Sequence, residues 1–382
     1  SEKNIKYVEP WILWPSIHSG LSYDEHQIFN LNDYDKLNER QIWEILEDKN
    51  IKVAAISPMN AKDNFSSDSV YLPDPWSKNK AKGSVFIEFF RKTCSYFVNH
   101  NAGKKNLFMF FKLLLCFILF ARIGNYFYYL ILFCKSISKK WFQTIFLDQL
   151  LFDFTTKYIN KNYQFLSLFL NGAAHIQHHY LFNSKKLNNN FNNPNWYIDK
   201  KFDPVLDIYK GYDRILNKIL NLINKHNYRL IILTALSQDL VTSETFYYRL
   251  KNHNNFLQKL NFKFQKIETL MSRDFKIYIK KNNDLSIIKE KLLNIYIDHT
   301  QIFSVKIFDN YLFVQLIYHK TITENTEINF ENLKLNAINF FDLVALKNGM
   351  HNQKGYLIDT KNEFEDNYLI KNIKNKIIKH FT

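Results

Sequence analysis

The 382-residue chain is 46% hydrophobic and 17% aromatic and holds only 8 Gly and 7 Pro, a composition that sustains a core and excludes global disorder, a collagenous fibre or a flexible linker. Lys and Arg outnumber Asp and Glu by 51 to 36, a net charge of +15. Three cysteines (Cys94, Cys116, Cys134) with no CxxC spacing argue against a disulfide framework, remove the common zinc ribbons and fit a reducing compartment.

The chain opens at Ser1 in a polar stretch with no visible signal peptide, so the expected location is cytoplasmic, peripheral where it meets a membrane. Residues 9–21 place two Trp beside Pro and small residues, the pattern of a tight loop entering a helix, with Asp24, Glu25 and His26 after it. Ser16 and Ser19 there read as helix-cap hydroxyls rather than nucleophiles, since no Ser-His-Asp spacing accompanies them. A helical stretch at 32–48 precedes an apolar run at 51–56 that breaks into Ser57-Pro58-Met59-Asn60. Runs of that length, bounded in that way, read as buried strands.

Residues 77–147 carry twelve Lys or Arg against one acid, Glu88, together with the most apolar stretch of the chain, 107–134. Lys112 and Arg122 cut that stretch into uncharged runs of 9 and 12 residues, short of the roughly 20 needed to span a bilayer. Helices with apolar faces and basic edges are expected instead. They form either a cap packed on the main domain or a surface that meets anionic lipid headgroups. Nucleic acid is the weaker partner on these grounds, because no finger, helix-turn-helix or RNA-binding signature appears.

Helix at 141–161 is followed by a strand at 165–170, an Asn-rich loop at 183–195, helix at 203–227 and a strand at 228–234. Strand and helix alternating in this way predict an α/β fold, a doubly wound and mainly parallel sheet flanked by helices, with 51–56, 165–170 and 228–234 in that one sheet. The expected division is 1–76 and 148–382 for the core and 77–147 for a helical cap insertion. Beyond about Phe256 the runs 275–279, 305–307 and 312–317 suggest antiparallel or edge strands. Ligands of such sheets sit beyond the carboxyl ends of the strands, where Asn60, Asn171, His175, Ser237 and Gln238 fall.

Asn171-Gly172-Ala173-Ala174-His175-Ile176-Gln177-His178-His179 is the densest constellation. Residues four apart share a helix face, and neutral imidazoles there either ligate zinc, iron or manganese or bond to backbone and loop groups as partly buried histidines. His351, after Gly349, is a second loop histidine.

Pro15-Ser16-Ile17-His18-Ser19-Gly20-Leu21, with His26 six residues beyond Gly20, resembles the loop after the nucleophile in the alkaline phosphatase superfamily, in its type I phosphodiesterase/nucleotide pyrophosphatase branch. Asn171 and His175 are similar to its Asp-xxx-His metal pair. Residues 234–238 fall where it carries an Asp-His pair, and Gly349-Met350-His351 looks like its last metal histidine. The resemblance implies a hydrolase or transferase of phosphate or sulfate esters with a degenerate site: Pro10 stands at the nucleophile position, and Leu236-Ser237-Gln238 replaces the Asp-His pair. It implies one divalent metal, zinc or manganese, on Asn171, His175 and His351. Glu9 and His178 would be the catalytic groups, and Trp11, Asn60 and Gln238 would bind an anionic small-molecule, glycan or lipid substrate. The alternative is an inactive relative that binds a glycan, lipid or protein partner.

Overall fold

A computed structural model of the chain describes residues 8–66, 68–99, 107–159, 161–188, 191–270, 273–279, 284–365 and 367–381. Two units emerge, 1–240 with 349–382, and 241–348. Lys104, Lys105 and part of the Asn-rich loop (189–190) lie outside the described residues.

The larger unit begins with α1 (Pro10–Ser19), α2 (Tyr23–His26), α3 (Ile42–Asp48), β1 (Val53–Ile56) and β2 (Val70–Leu72). Pro10 starts α1, where a missing N–H costs nothing, and Gly20 ends it at φ 75, donating its N–H to the Ser16 carbonyl. Then come α4 (Val85–Asn99), α5 (Leu107–Phe120), α6 (Tyr126–Ser138), α7 (Phe142–Ile159), β3 (Phe165–Leu168), α8 (Gly172–Tyr180), α9 (Pro204–His226), β4 (Ile231–Thr234) and β5 (Ser237–Leu240).

Strand β1 is the middle of a three-stranded parallel sheet, order β2-β1-β3, with Val53 opposite Phe165 and Ile56 opposite Leu72 and Leu168. All four of its residues are fully buried, as expected of a parallel strand covered on both faces. The two-residue period sends Ala54 and Ile56 into a core built with α4 to α9. Val53 and Ala55 enter a second core with Ile42, Trp43 and Leu46 of α3, Phe65 and Tyr71.

The smaller unit is antiparallel throughout its described residues. It holds β6 (Phe246–Leu250), α10 (His253–Lys259), β7 (Lys266–Thr269), β8 (Asp274–Tyr278), α11 (Asp284–Leu293), β9 (Tyr296–Ile297), β10 (Thr300–Gln301), β11 (Phe303–Phe308), β12 (Tyr311–Leu316), β13 (Glu327–Phe330), β14 (Leu333–Asn336) and β15 (Phe341–Leu346). Its sheets run β11-β12-β8-β7 and β10-β9-β13-β14, with β6 paired to β15. The chain then returns to the larger unit as β16 (Gly349–Asn352), β17 (Tyr356–Asp359) and α12 (Ile373–Lys379).

The expected doubly wound parallel sheet is not what forms. Residues 51–56 and 165–170 do supply neighbouring parallel strands, but 228–234 supplies β4, which pairs antiparallel with β17 in a separate two-stranded ribbon. The physical reason lies beside the ribbon. Arg229 donates Nε and Nη2 to the two oxygens of Asp359 at 2.9 and 2.7 Å, and its Nη1 lies 2.7 Å from Glu363. A bidentate guanidinium–carboxylate pair, buried on both sides, fixes that partner and that register. Strand β5 likewise pairs antiparallel with β16.

The basic segment is helical. Helix α5 stops at the Arg122 turn and the chain re-enters as α6. Asp153 of α7 holds that turn. It accepts from the Arg122 N–H at 2.9 Å, from Asn125 Nδ2 at 2.7 and 2.9 Å, from the Tyr129 hydroxyl at 3.0 Å and from Gln149 Nε2 at 3.0 Å. Asp153 is fully buried, and losing the acceptor strands several buried donors at once. Asp153→Ala is therefore expected to lower the unfolding free energy by about 3–5 kcal/mol. Urea melts monitored by circular dichroism measure it, and a loss within about 1 kcal/mol, the range of an ordinary single substitution, would remove this carboxylate as the anchor of the turn.

Candidate functional site

Strand β3 delivers the chain to Asn171 and into α8. The N-terminus of α8 is already filled by the protein's own carboxylate. Gly172 N–H donates to Asp148 Oδ2 at 3.0 Å, and Ala173 N–H donates to the Tyr212 hydroxyl at 3.0 Å, which in turn donates to the same Asp148 oxygen at 2.8 Å. A Cβ at position 172 would lie 2.1 Å from that oxygen, so glycine is required for the approach. Burial pushes the Asp148 carboxyl up to about 7, against the pull of both hydrogen bonds. No motif in the sequence singles out Asp148. The available signal was a pair of acids, Asp148 and Asp153, inside an otherwise apolar helix.

Two turns into α8, His178 begins a relay across β16. Its Nδ1 lies 3.1 Å from the Gly349 carbonyl and its Nε2 lies 3.0 Å from His351 Nε2. His351 Nδ1 lies 3.1 Å from Glu9 Oε2, at the N-cap of α1. A carbonyl only accepts, so His178 Nδ1 carries a hydrogen. A carboxylate only accepts, so His351 Nδ1 carries another. The gap between the two Nε2 atoms needs a third. All three contacts are satisfied together only when the imidazole pair holds one hydrogen more than two neutral rings do, and the Glu9 carboxylate balances that charge. Glu9 is the outer member, with its side chain 37% exposed against 14% for His351.

Gln238 braces this arrangement. It stands opposite His351 in the β5–β16 ladder, and its Nε2 donates to the Ala174 carbonyl at 3.0 Å. Its Oε1 is buried without a partner among the described residues and faces Gly349, where a Cβ would lie 2.4 Å away.

Glu9, His178, His351 and Gln238 thus come together. His175 and His179 pack ring on ring, centroids 4.5 Å apart, and His179 Nδ1 meets the Tyr197 hydroxyl at 3.1 Å. Burial lowers His175, and burial with the adjacent histidines lowers His179 well below the usual imidazole range. Asn171 contributes its carbonyl to the His175 N–H at 3.0 Å. Trp11 and Asn60 sit with each other. Asn60 donates Nδ2 to the carbonyls of Trp11 and Asn30 at 2.8 and 3.1 Å and accepts from the Asn32 N–H at 2.9 Å. Trp11 Nε1 donates to the Phe29 carbonyl at 3.1 Å. This latch secures the first turn of α1 and so the position of Glu9.

Ser16 Oγ lies 3.0 Å from His26 Nε2, the distance a nucleophile–base pair needs. The opposite nitrogen decides its role. His26 Nδ1 accepts the Ile28 N–H at 3.0 Å, so the ring hydrogen sits on Nε2 and is donated to Ser16. Burial pushes His26 down to about 4, and the ring cannot take a proton from Ser16 in that tautomer.

No group of three or more His, Cys, Asp or Glu side chains among the described residues is placed to hold a metal ion. Two imidazole nitrogens about 3 Å apart can both approach a cation at about 2.0–2.1 Å. Glu9, however, bonds the far nitrogen of His351. The set is one ligand short of the three protein ligands of a catalytic zinc site.

The Asp148 hub makes stability depend on pH. Its carboxyl is raised on folding, so between about pH 4 and 7 the folded protein holds a proton that the unfolded chain releases. Stability contributed by the neutral acid is present in full below about pH 4 and falls as pH rises toward 7. Asp148→Asn, which keeps an acceptor for Gly172, should flatten that slope. Urea unfolding at pH 4.5 and 7.5 measures it, and an unchanged slope would reject the assignment. The chain as a whole matches no protein-family model and no curated protein.

Proposed function

We propose that the protein is a hydrolase or transferase of phosphate or sulfate esters in which Glu9 is the proton-transfer group. The observation that carries this reading is the relay from Glu9 through His351 to His178. Glu9 has one oxygen tied to His351 and a partly exposed side chain, so among the described residues its other oxygen is left for a reactant. As a carboxylate it takes the proton of an attacking water or hydroxyl. Taking the hydrogen of His351 instead, it becomes the acid that protonates a departing oxygen. A group able to move a proton both ways in a partly dried site typically contributes about 10²–10⁴-fold to rate. His351 and His178 are positioning residues here, and Gln238 and the Trp11–Asn60 latch hold the frame. The net charge of +15 favours an anionic ester over a neutral one.

A second observation favours ligand binding without turnover. The N-terminus of α8, which would otherwise attract an anion, is closed by Asp148. In that reading the relay orients a glycan, lipid or protein partner.

Hydrolysis of p-nitrophenyl phosphate, bis-p-nitrophenyl phosphate and p-nitrophenyl sulfate separates the two. The ester reading expects turnover that Glu9→Gln lowers by about 10²–10⁴-fold and that His351→Gln lowers with a displaced pH profile. Turnover of none of the three esters, or turnover indifferent to Glu9→Gln, leaves the binding reading.

A further inference from the structure

We propose that α5 and α6 form a wedge that enters one leaflet of an anionic bilayer without crossing it. The inference is independent of the proton relay and rests on other residues, those of α5, α6 and the turn between them.

Each helix has one face in the core and one outside it. Cys116 and Phe120 of α5 and Tyr129 and Leu132 of α6 are buried among the residues that pack on β1. The other faces carry Phe108, Phe111, Leu115, Phe127 and Phe133, and the turn between the helices carries Ile123; these six are between 51% and 81% exposed. Single exposed apolar side chains are ordinary on soluble proteins, but a contiguous set of aromatic and branched residues marks an interaction surface.

Length and angle favour shallow entry over a span. At 1.5 Å per residue the 14 residues of α5 reach about 21 Å, against about 30 Å of hydrocarbon. No single helix among the described residues is long and apolar enough to cross, and the segments 107–120 and 123–138 reach that length only as a pair, bent by 118°. The bend is built in. Asp153 takes the Arg122 N–H and the Asn125 side chain, so straightening the pair would strip a buried carboxylate of its donors. A bent pair held on a folded body presents a shallow apolar edge, the geometry of an interfacial helix buried about 5–10 Å deep.

Charge identifies the occupant. From Leu107 to Lys140 the chain carries Lys112, Arg122, Lys135, Lys139 and Lys140 and no acid. Lys112 Nζ lies 4.8 Å over the Phe108 ring, the posture of a long side chain that lays its stem on apolar surface and keeps its charge outside. An apolar face on a segment whose own charges are all cations suits a layer with hydrocarbon beneath and phosphate above. A second copy of this chain fits poorly. Self-complementary pairing places the same patch on both subunits, so it would set these cations against their own like.

Co-sedimentation of the full chain with phosphatidylcholine vesicles, with and without one-third phosphatidylglycerol, tests the proposal. Binding is expected only with the anionic lipid, and it should weaken as salt rises. Phe111→Glu and Phe127→Glu alter exposed positions, so circular dichroism should stay as in the parent while vesicle binding falls by about tenfold or more. In Phe127→Trp the new indole should be quenched by lipids brominated on their acyl chains. Three results would each overturn the wedge: no vesicle binding at low salt, binding unchanged by both Glu variants, or anionic binding without acyl-chain quenching. A dimer in solution that Phe127→Glu dissociates, with no vesicle binding, would assign the face to a second copy instead.

Discussion

The larger unit depends on a short strand, β1, from which water is excluded on both sides. Its four residues are small or branched and fully buried, and their alternation feeds two cores that would otherwise have nothing in common. Burial on both faces requires a helical layer on one side and α3 with the aromatic pair Phe65 and Tyr71 on the other. Because β1 pairs in parallel with β3, the chain must leave β3 at the end where α8 begins. His178 inherits its place from that one pairing.

Within this frame the few buried acids of a basic chain act as hubs for backbone donors. Asp148 closes the start of α8, Asp153 holds the α5–α6 turn, and Asp74 accepts the N–H groups of Asn60 and Trp76 at 3.0 and 2.9 Å. Asp74 joins the turn after β1 to the turn after β2, and burial pushes its carboxyl up to about 6. Each hub exchanges water for several fixed dipoles, the condition under which a buried carboxylate is tolerated. The arrangement also commits α8's N-terminal dipole to structure, which leaves the hydrogen-bonded chain of Glu9, His351 and His178 as the feature on which the proposed proton transfer rests.

What the sequence made legible was local. The apolar runs at 51–56 and 165–170 announce strands, and the small residues after them announce where the strands end, because such breaks are properties of neighbouring residues. The expected burial holds for β1, whereas β3 is half-buried along its length. Pairing is not local. Residues 228–234 look as much like a parallel core strand as 51–56 does, and only Asp359 and Glu363, more than a hundred residues on, draw Arg229 and β4 into an antiparallel ribbon. In the site, Glu9, His178 and His351 are singled out by the family resemblance, with His178 also in the histidine-rich run. Spacing on the helix directed attention to His175 and His179, yet those rings turn to each other and to Tyr197. The partner of His351 depends on the β5–β16 register, which no periodicity within α8 could supply. Asn60 and Trp11 hold the start of α1, and their polar atoms are engaged with backbone.

The central claim is that Glu9, His351 and His178 form one hydrogen-bonded unit carrying one hydrogen beyond two neutral rings. Nitrogen-15 spectra of histidine-labelled protein count those hydrogens directly. The account predicts Nδ1 of both rings protonated, a third hydrogen shared between the two Nε2 atoms, and reversion to two neutral rings in Glu9→Gln. Two ordinary neutral tautomers in the parent protein, unaffected by Glu9→Gln, would contradict it.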